Sequence, residues 1–316
     1  MKILASVYGF LTSWIGALLL VFVLIFFVAQ GFIIPSRSMV GTLYEGDMML
    51  VKKFAYGVPI PKIPWIELPI FPDLRGDRHL IPGERPKRGD IVVFNPPGDD
   101  KTYYVKRNFA TGGDKVVFAR DGMYLRPVEG DAYIKANFDG YDTKSFFGEV
   151  YVKEPYSKEF IGIHYGEKGV VPPYNSYVSM KSRAALYGFN NSSVGSGGIA
   201  MAQRISSGEE VFFLHIPEEH FFMVGDNRDN SEDSRFWGTV DYSRIVGKPW
   251  ITWLSITLTG SLESNAYEEK NRYKLRWQRM FKSVDYLEHN AKIFDGECRY
   301  YGDSPCDLSR ESSAFY

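Results

Sequence analysis

Ser36 and Ser38 stand two residues apart in Pro35-Ser36-Arg37-Ser38-Met39, which offers two candidate nucleophiles in one turn-forming stretch. A serine hydroxyl is a poor nucleophile unless a base takes its proton. Histidine is the usual base, and the chain has five: His79, His164, His215, His220 and His289. None lies in a recognisable triad motif, and Gly-x-Ser-x-Gly is absent. His215 and His220 are five apart, do not form His-Glu-x-x-His, and read as solvated or core histidines.

A lysine serves in place of histidine when it is neutral, and burial among apolar groups lowers its pKa. Lys106 sits in an apolar, aromatic stretch that reads as a strand. Alternation sets Tyr104, Lys106 and Asn108 on one face and Tyr103, Val105 and Arg107 on the other. Lys106 is then free to point inward while Arg107 points out. Most strand lysines are solvated, so the residue alone permits this chemistry without requiring it.

Gly225-Asp226-Asn227-Arg228-Asp229-Asn230-Ser231-Glu232-Asp233-Ser234-Arg235 reads as a turn-rich loop of side-chain-to-backbone hydrogen bonds. A calcium loop is the rival. Asp229-x-Ser231-x-Asp233 begins that pattern, but Ser234 stands where the sharp turn needs glycine. Gly112-Gly113-Asp114-Lys115 lacks the Walker spacing for a phosphate. No metal or organic cofactor is expected.

The two serines follow a run of 34 residues without a charge, Ile3 to Ser36. A membrane-spanning helix needs about 20 apolar residues, and a cleavable signal peptide has an apolar region of about 7–15. The run predicts an uncleaved anchor over 1–34. Charges flanking it do not fix its orientation: Lys2 precedes it, and Arg37, Lys52 and Lys53 follow. The formal net charge of −1 implies no broad basic face, so no nucleic-acid partner is expected. Aromatic residues make up 16% of the chain, enough to serve both a core and a membrane interface.

Beyond the anchor, short apolar runs between turn signals predict strands: Met48–Val51, Ile91–Phe94, Val116–Phe118, Val211–Leu214 and Phe221–Val224. Pro59 to Pro86 holds seven prolines and reads as a long loop. From Gly122 to Gly208 the pattern loosens into Gly, Ser, Asn and Tyr, most flexibly over Asn190–Gly198. The expected division is a catalytic core over 35–121 and 208–260, an inserted β-rich subdomain over 122–207 and a C-terminal extension over 261–316. In the extension, Glu268–Tyr286 reads as a helix or Tyr273–Trp277 as a strand. Cys298 and Cys306 lack zinc-site spacing. In an exported domain they would close a short disulfide loop; otherwise they are free thiols in the tail.

Taken in order, these segments resemble the bacterial type I signal peptidases, or leader peptidases. The resemblance covers about 30–120 and 208–256. It rests on Ser36-x-Ser38-Met39-x-x-Thr42-Leu43, Gly46-Asp47, Lys53-Phe54-Ala55-Tyr56-Gly57 and Pro86-Lys87-Arg88-Gly89-Asp90-Ile91-Val92-Val93-Phe94. Tyr104-Val105-Lys106-Arg107 and Gly225-Asp226-Asn227-Arg228-Asp229-Asn230-Ser231-x-Asp233-Ser234-Arg235-x-Trp237-Gly238 complete it. It implies Ser38 as nucleophile and Lys106 as general base. The Ser38 N–H and the Ser36 hydroxyl would form the oxyanion hole. Ser231 would bond and orient the Lys106 amine, Asp233 and Arg235 would buttress it, and Asp226 and Arg228 would hold the loop. Gly41 stands where the family usually has proline, and Ala110 and Gly112 replace a glycine and a proline.

The resemblance further implies a mostly β fold, an antiparallel sheet or partly closed barrel behind an N-terminal transmembrane helix. The expected activity is a Ser/Lys-dyad endopeptidase that removes signal peptides from exported preproteins, cleaving after small residues of the Ala-x-Ala type. The expected place is the bacterial cytoplasmic membrane, single-pass, with the catalytic domain on the outer face. Preproteins, the lipid bilayer and, transiently, the secretion translocon would be its partners. A self-cleaving Ser–Lys repressor would need an N-terminal DNA-binding helix pair where the apolar run stands. An inactive scaffold would not need Ser38, Lys106, Ser231 and Asp233 together.

Overall fold

Ile91-Val92-Val93-Phe94 forms a strand in which all four residues are buried, and the other apolar runs bounded by turns form strands too. The computed structural model describes residues 9, 12–23, 29–63, 66, 68–165, 176–189, 198–257, 273 and 275–290. Its strands are β1 (Ala29–Ile33), β2 (Asp47–Lys52), β3 (Gly57–Pro59), β4 (His79–Pro82), β5 (Ile91–Phe94), β6 (Tyr104–Thr111), β7 (Lys115–Ala119) and β8 (Gly122–Arg126). There follow β9 (Thr143–Phe146), β10 (Glu149–Lys153), β11 (Ala202–Ser206), β12 (Glu209–His215), β13 (His220–Val224), β14 (Val240–Asp241), β15 (Ile245–Ser255) and β16 (Lys282–Ser283). The helices are α1 (Trp14–Val23), α2 (Asp131–Asn137), α3 (Ser176–Tyr187), α4 (Ser234–Trp237) and α5 (Val284–His289).

The fold is mostly β, as expected, and its strand pairs are antiparallel. An eight-stranded sheet runs β1-β2-β15-β5-β6-β13-β14, with β16 added beside β15. A six-stranded sheet runs β11-β12-β7-β8-β10-β9, and β3 pairs with β4 inside the proline-rich segment.

The chain leaves the first sheet after β6 and returns to it at β13, the strand beside β6. Gly112-Gly113-Asp114 makes the outward crossing. There the Gly113 N–H donates to the Ile216 carbonyl at 2.9 Å, and the Ile216 N–H donates to the Asp114 carbonyl at 2.8 Å. The buried Asp114 carboxylate takes two bonds from Arg88 at 2.6 and 2.7 Å. β7 and β12, grouped with the catalytic core in the sequence, therefore belong to the second sheet. The change from one sheet to the other falls at the glycine crossing, ahead of the stretch where composition loosens.

One hydrophobic cluster spans both sheets through Val92, Phe94, Phe109, Val116, Phe118, Phe212, Phe222 and Trp237. A second lies under the Ser36–Gly46 loop and holds Ile34, Met39, Leu43, Met49, Val51, Ile91, Val93 and Val284. Burying each such side chain contributes about 1.5–3 kcal/mol, so Met39 and Leu43 pin the loop to β2 and β5.

No helix among the described residues is long and apolar enough to cross a membrane. Of the expected span over 1–34, residues 1–8, 10–11 and 24–28 lie outside the described residues; in the rest, α1 covers Trp14–Val23 and Ala29–Ile33 is strand β1, paired with β2 from Ala29↔Lys52 to Ile33↔Met48. Pairing to β2 satisfies the backbone there without a helix. Of the two readings of the extension, the helix over Glu268–Tyr286 is formed in its described part only from Val284, where α5 begins, and the extended reading over Tyr273–Trp277 has a single bridge among the described residues. Leu275 bridges Ile256, a 3-10 turn occupies Trp277–Arg279, and the Phe281 N–H donates to Thr252 of β15 at 2.6 Å. Pairing to β15 and the inward turn of two arginines break the helical period. Cys298, Cys306 and 190–197 lie outside the described residues.

Candidate active site

Ser38 lies in a run of tight turns. The Val40 N–H donates to the Arg37 carbonyl at 3.0 Å, and the Leu43 N–H donates to the Met39 carbonyl at 2.8 Å. The 225–235 loop grips it from the other side: the Asn227 N–H donates to the Ser38 carbonyl at 3.1 Å, and Asn227 Nδ2 donates to the Arg37 carbonyl at 3.2 Å. Ser38 is 8% exposed. Its Oγ is 3.3 Å from the Ser36 Oγ, and it accepts a hydrogen bond from Lys106 Nζ.

Lys106 sits in β6 between β5, where it faces Val92, and β13. A central strand is covered by its neighbours, and the side chain is 4% exposed. Desolvation pushes its ammonium pKa down to about 8, with Asp233 pulling it back up and Arg235 pushing it down. The residue 68 positions from Ser38 in the chain is thus its hydrogen-bond partner, and its proton is held loosely.

Asp233 and Arg235 form a pair with no exposure on either side chain. Arg235 Nε and Nη2 each donate to the carboxylate at 2.8 Å, and Nη2 donates to the Arg228 carbonyl at 2.6 Å. Asp233 also caps α4 by accepting from the Arg235 N–H. Burial works to raise its carboxyl, but Arg235 beside it prevails and holds it below the usual range.

Two expectations are corrected. Ser231 was expected to bond the Lys106 amine. Its buried Oγ makes no hydrogen bond to the Lys106 Nζ, and it lies near enough to Asp233 to help hold that carboxyl low. It is wedged against Gly225, where a Cβ would meet Ser231 Oγ and the Ser38 carbonyl at 2.4 Å each. Arg107 was expected to face solvent, yet it is 1% exposed. The opposite face of β6 is covered too, and there Arg107 Nε and Nη2 each donate to Asp226 at 2.8 Å. Burial works to raise the Asp226 carboxyl, and Arg107 holds it low. Arg228 does not hydrogen-bond Asp226. It lies over the Phe109 ring at 5.4 Å, 3.5 Å from Glu154.

Sequence reasoning missed Thr42, whose hydroxyl donates to Asp226 at 2.6 Å, and Gly162. Gly41 has φ of +100°, and a Cβ there would lie 2.3 Å from the Gly162 carbonyl oxygen. The loop after β10 thus touches the nucleophile loop backbone to backbone. This accounts for glycine where the family usually has proline, whose φ is locked near −65°. Gly41→Pro is expected to destabilise the protein by at least about 2 kcal/mol, read as a lower urea midpoint at unchanged slope.

The sequence profile described as signal peptidase, peptidase S26, matches residues 7–254. The chain belongs to the signal peptidase family. A signal peptidase I of Helicobacter pylori (strain ATCC 700392 / 26695) is 52% identical over 296 residues, which span 92% of this chain and 98% of that one. A signal peptidase I of Haemophilus influenzae (strain ATCC 51907 / DSM 11121 / KW20 / Rd) is 30% identical over 302 residues, 87% of this chain and 75% of that one. A crystal structure of a signal peptidase I from Enterococcus faecalis V583 aligns with a TM-score of 0.25 at 20% identity, covering 52% of this chain and 97% of that one. Membership in peptidase S26 makes the chain a serine endopeptidase, and the profile match over 7–254 spans the Ser38, Lys106 and 225–235 segments.

Proposed function

We propose that this chain removes signal peptides from exported preproteins, with Ser38 as nucleophile and Lys106 as general base. The observation that carries the reading is the bond from the buried Lys106 Nζ to Ser38 Oγ. Neutral Lys106 takes the Ser38 proton as Oγ attacks the scissile carbonyl. The Ser38 N–H and Ser36 hydroxyl then meet the developing oxyanion. Lys106 returns the proton to the leaving amine, and an acyl-enzyme remains on Ser38. The lysine next activates water, which releases the mature chain's partner fragment from Oγ.

Asp233 and Arg235 hold the 225–235 loop against Ser38. Side chains near Met39, Leu50 and Ile91 would form shallow pockets that admit small residues of the Ala-x-Ala type, with the substrate extended beside a strand. Exposed apolar residues fit a membrane surface: Trp14 on α1, Ile33 on β1, and Trp250 and Trp253 on β15. The apolar run before Ser38 supports a single-pass anchor in the bacterial cytoplasmic membrane. The catalytic domain would then meet preproteins on the outer face, beside the bilayer and transiently the translocon.

Incubation with a labelled preprotein tests the activity: the new N-terminus should follow a small residue. The base is tested by pH. Lys106 must be neutral to accept the proton, so the single-turnover rate should rise with pH and level off above about 8. A rate that keeps climbing to about 10.5, the ordinary lysine value, would count against Lys106.

A further inference from the structure

Residues 275–290 lie beyond the stretch that the family profile matches, 7–254. They nevertheless place two arginines and a glutamate behind Ser38 and Lys106. Arg279 is 2% exposed. Its Nη2 donates to Asp47 Oδ2 at 2.6 Å and to the Thr42 carbonyl at 2.7 Å, and its guanidinium lies 4.3 Å from the Tyr44 ring centre. Arg276 Nη2 donates to the Glu45 carbonyl at 2.8 Å. The outgoing half of the nucleophile loop is therefore held through its carbonyls by the C-terminal segment.

The same network reaches the lysine. Thr42 is held from its other side by Asp226, and Asp226 takes two N–H bonds from Arg107. The Arg107 Nη1 donates to the Gly89 carbonyl at 2.7 Å and to Glu288 Oε2 of α5 at 2.9 Å. A continuous chain of bonds runs Arg279–Thr42–Asp226–Arg107–Glu288. It begins and ends in the C-terminal segment. On the way it passes through the loop that presents Ser38 and the strand residue next to Lys106.

We infer that the 276–288 segment is a positioning element of the active site: Arg279 fixes the loop that presents Ser38, and Glu288 fixes Arg107 beside Lys106. Neither residue touches substrate. A reacting pair misplaced by about 1 Å loses on the order of 100-fold in rate, and bidentate arginine contacts are the strong, directional kind that prevent such drift.

The inference rests on the Ser38–Lys106 reading, which Lys106→Ala tests by itself: activity surviving that change sinks the reading whatever Arg279 does. In the full chain, Arg279→Met should lower kcat by about 30- to 100-fold. KM should stay within about 2-fold at a temperature where near-ultraviolet circular dichroism is native. Arg279→Lys should recover part of the loss, because it keeps a cation at Asp47. Glu288→Gln keeps the shape and should lower kcat by about 3- to 10-fold. A folded Arg279→Met protein with unchanged kcat, or a loss carried only by KM, overturns the inference. Should Arg279→Met fail to fold, Glu288→Gln decides: unchanged kcat there overturns it.

Discussion

Ser38→Ala and Lys106→Ala should each lower kcat by about a million-fold, and the double variant should be no worse than either single one. Each removes half of one proton transfer, so removing the second half has nothing left to take. Ser36→Ala should cost only about 100- to 1000-fold, because one oxyanion donor remains at the Ser38 N–H. Single-turnover cleavage of a labelled preprotein reads all four. Cleavage persisting in Ser38→Ala or Lys106→Ala would reject the pair.

Lys106 also leaves a signature in stability. Its folded pKa, about 8, lies below the ordinary lysine value of 10.5. Below pH 8 both states hold the proton, and burial of the ammonium costs the fold its full penalty, about 3 kcal/mol. Between 8 and 10.5 only the unfolded chain is protonated, so stability rises with pH. Lys106→Met should therefore be inactive yet more stable than the parent at pH 7, with the gain shrinking above pH 8. An inactive variant that is also less stable at pH 7 would mean the amine sits in a favourable environment, and its role as a neutral base would fall with that.

The apolar runs were legible in the sequence because burial on both faces leaves no choice of side-chain type: Ile91–Phe94 became β5 residue for residue. The apolar stretch around Lys106 marked its strand, now β6, but a role for the lysine came from the resemblance. The burial of Arg107 was not legible. Alternation assigns a charged neighbour to solvent unless something covers the other face, and what covers it comes from Asp226 and Glu288, 119 and 181 residues away. Nothing local in Arg276-x-x-Arg279 marks either arginine as buried, since their partner Asp47 is more than 200 residues earlier. Ser231 failed in the opposite way. Its bond to Lys106 was implied by the resemblance alone, and in the structure its Oγ lies against Gly225, in space that a Cβ there would take. Pairing rules and periodicity reach neighbours in one strand, whereas long-range charge compensation depends on how the sheets close over each other.

Asp233→Asn should be strongly destabilising although it keeps side-chain volume. It leaves the Arg235 guanidinium, with no exposure, without the carboxylate that takes its Nε and Nη2. Removing one partner of a buried pair costs about 3–5 kcal/mol, read as a fall in the urea midpoint. The acid limb should change as well. The folded carboxyl is held below its ordinary value of 3.8, so it contributes stability that is present above pH 3.8 and is lost as pH falls through the folded value. The variant should lack that limb and lose less stability than the parent on acidification. The same carboxylate raises the Lys106 pKa, so in whatever fraction stays folded the rate–pH midpoint should move below that of the parent. A midpoint that stays put would separate Asp233 from the lysine and leave it a purely structural cap on α4. A shift to higher pH would contradict the placement of its charge beside the amine.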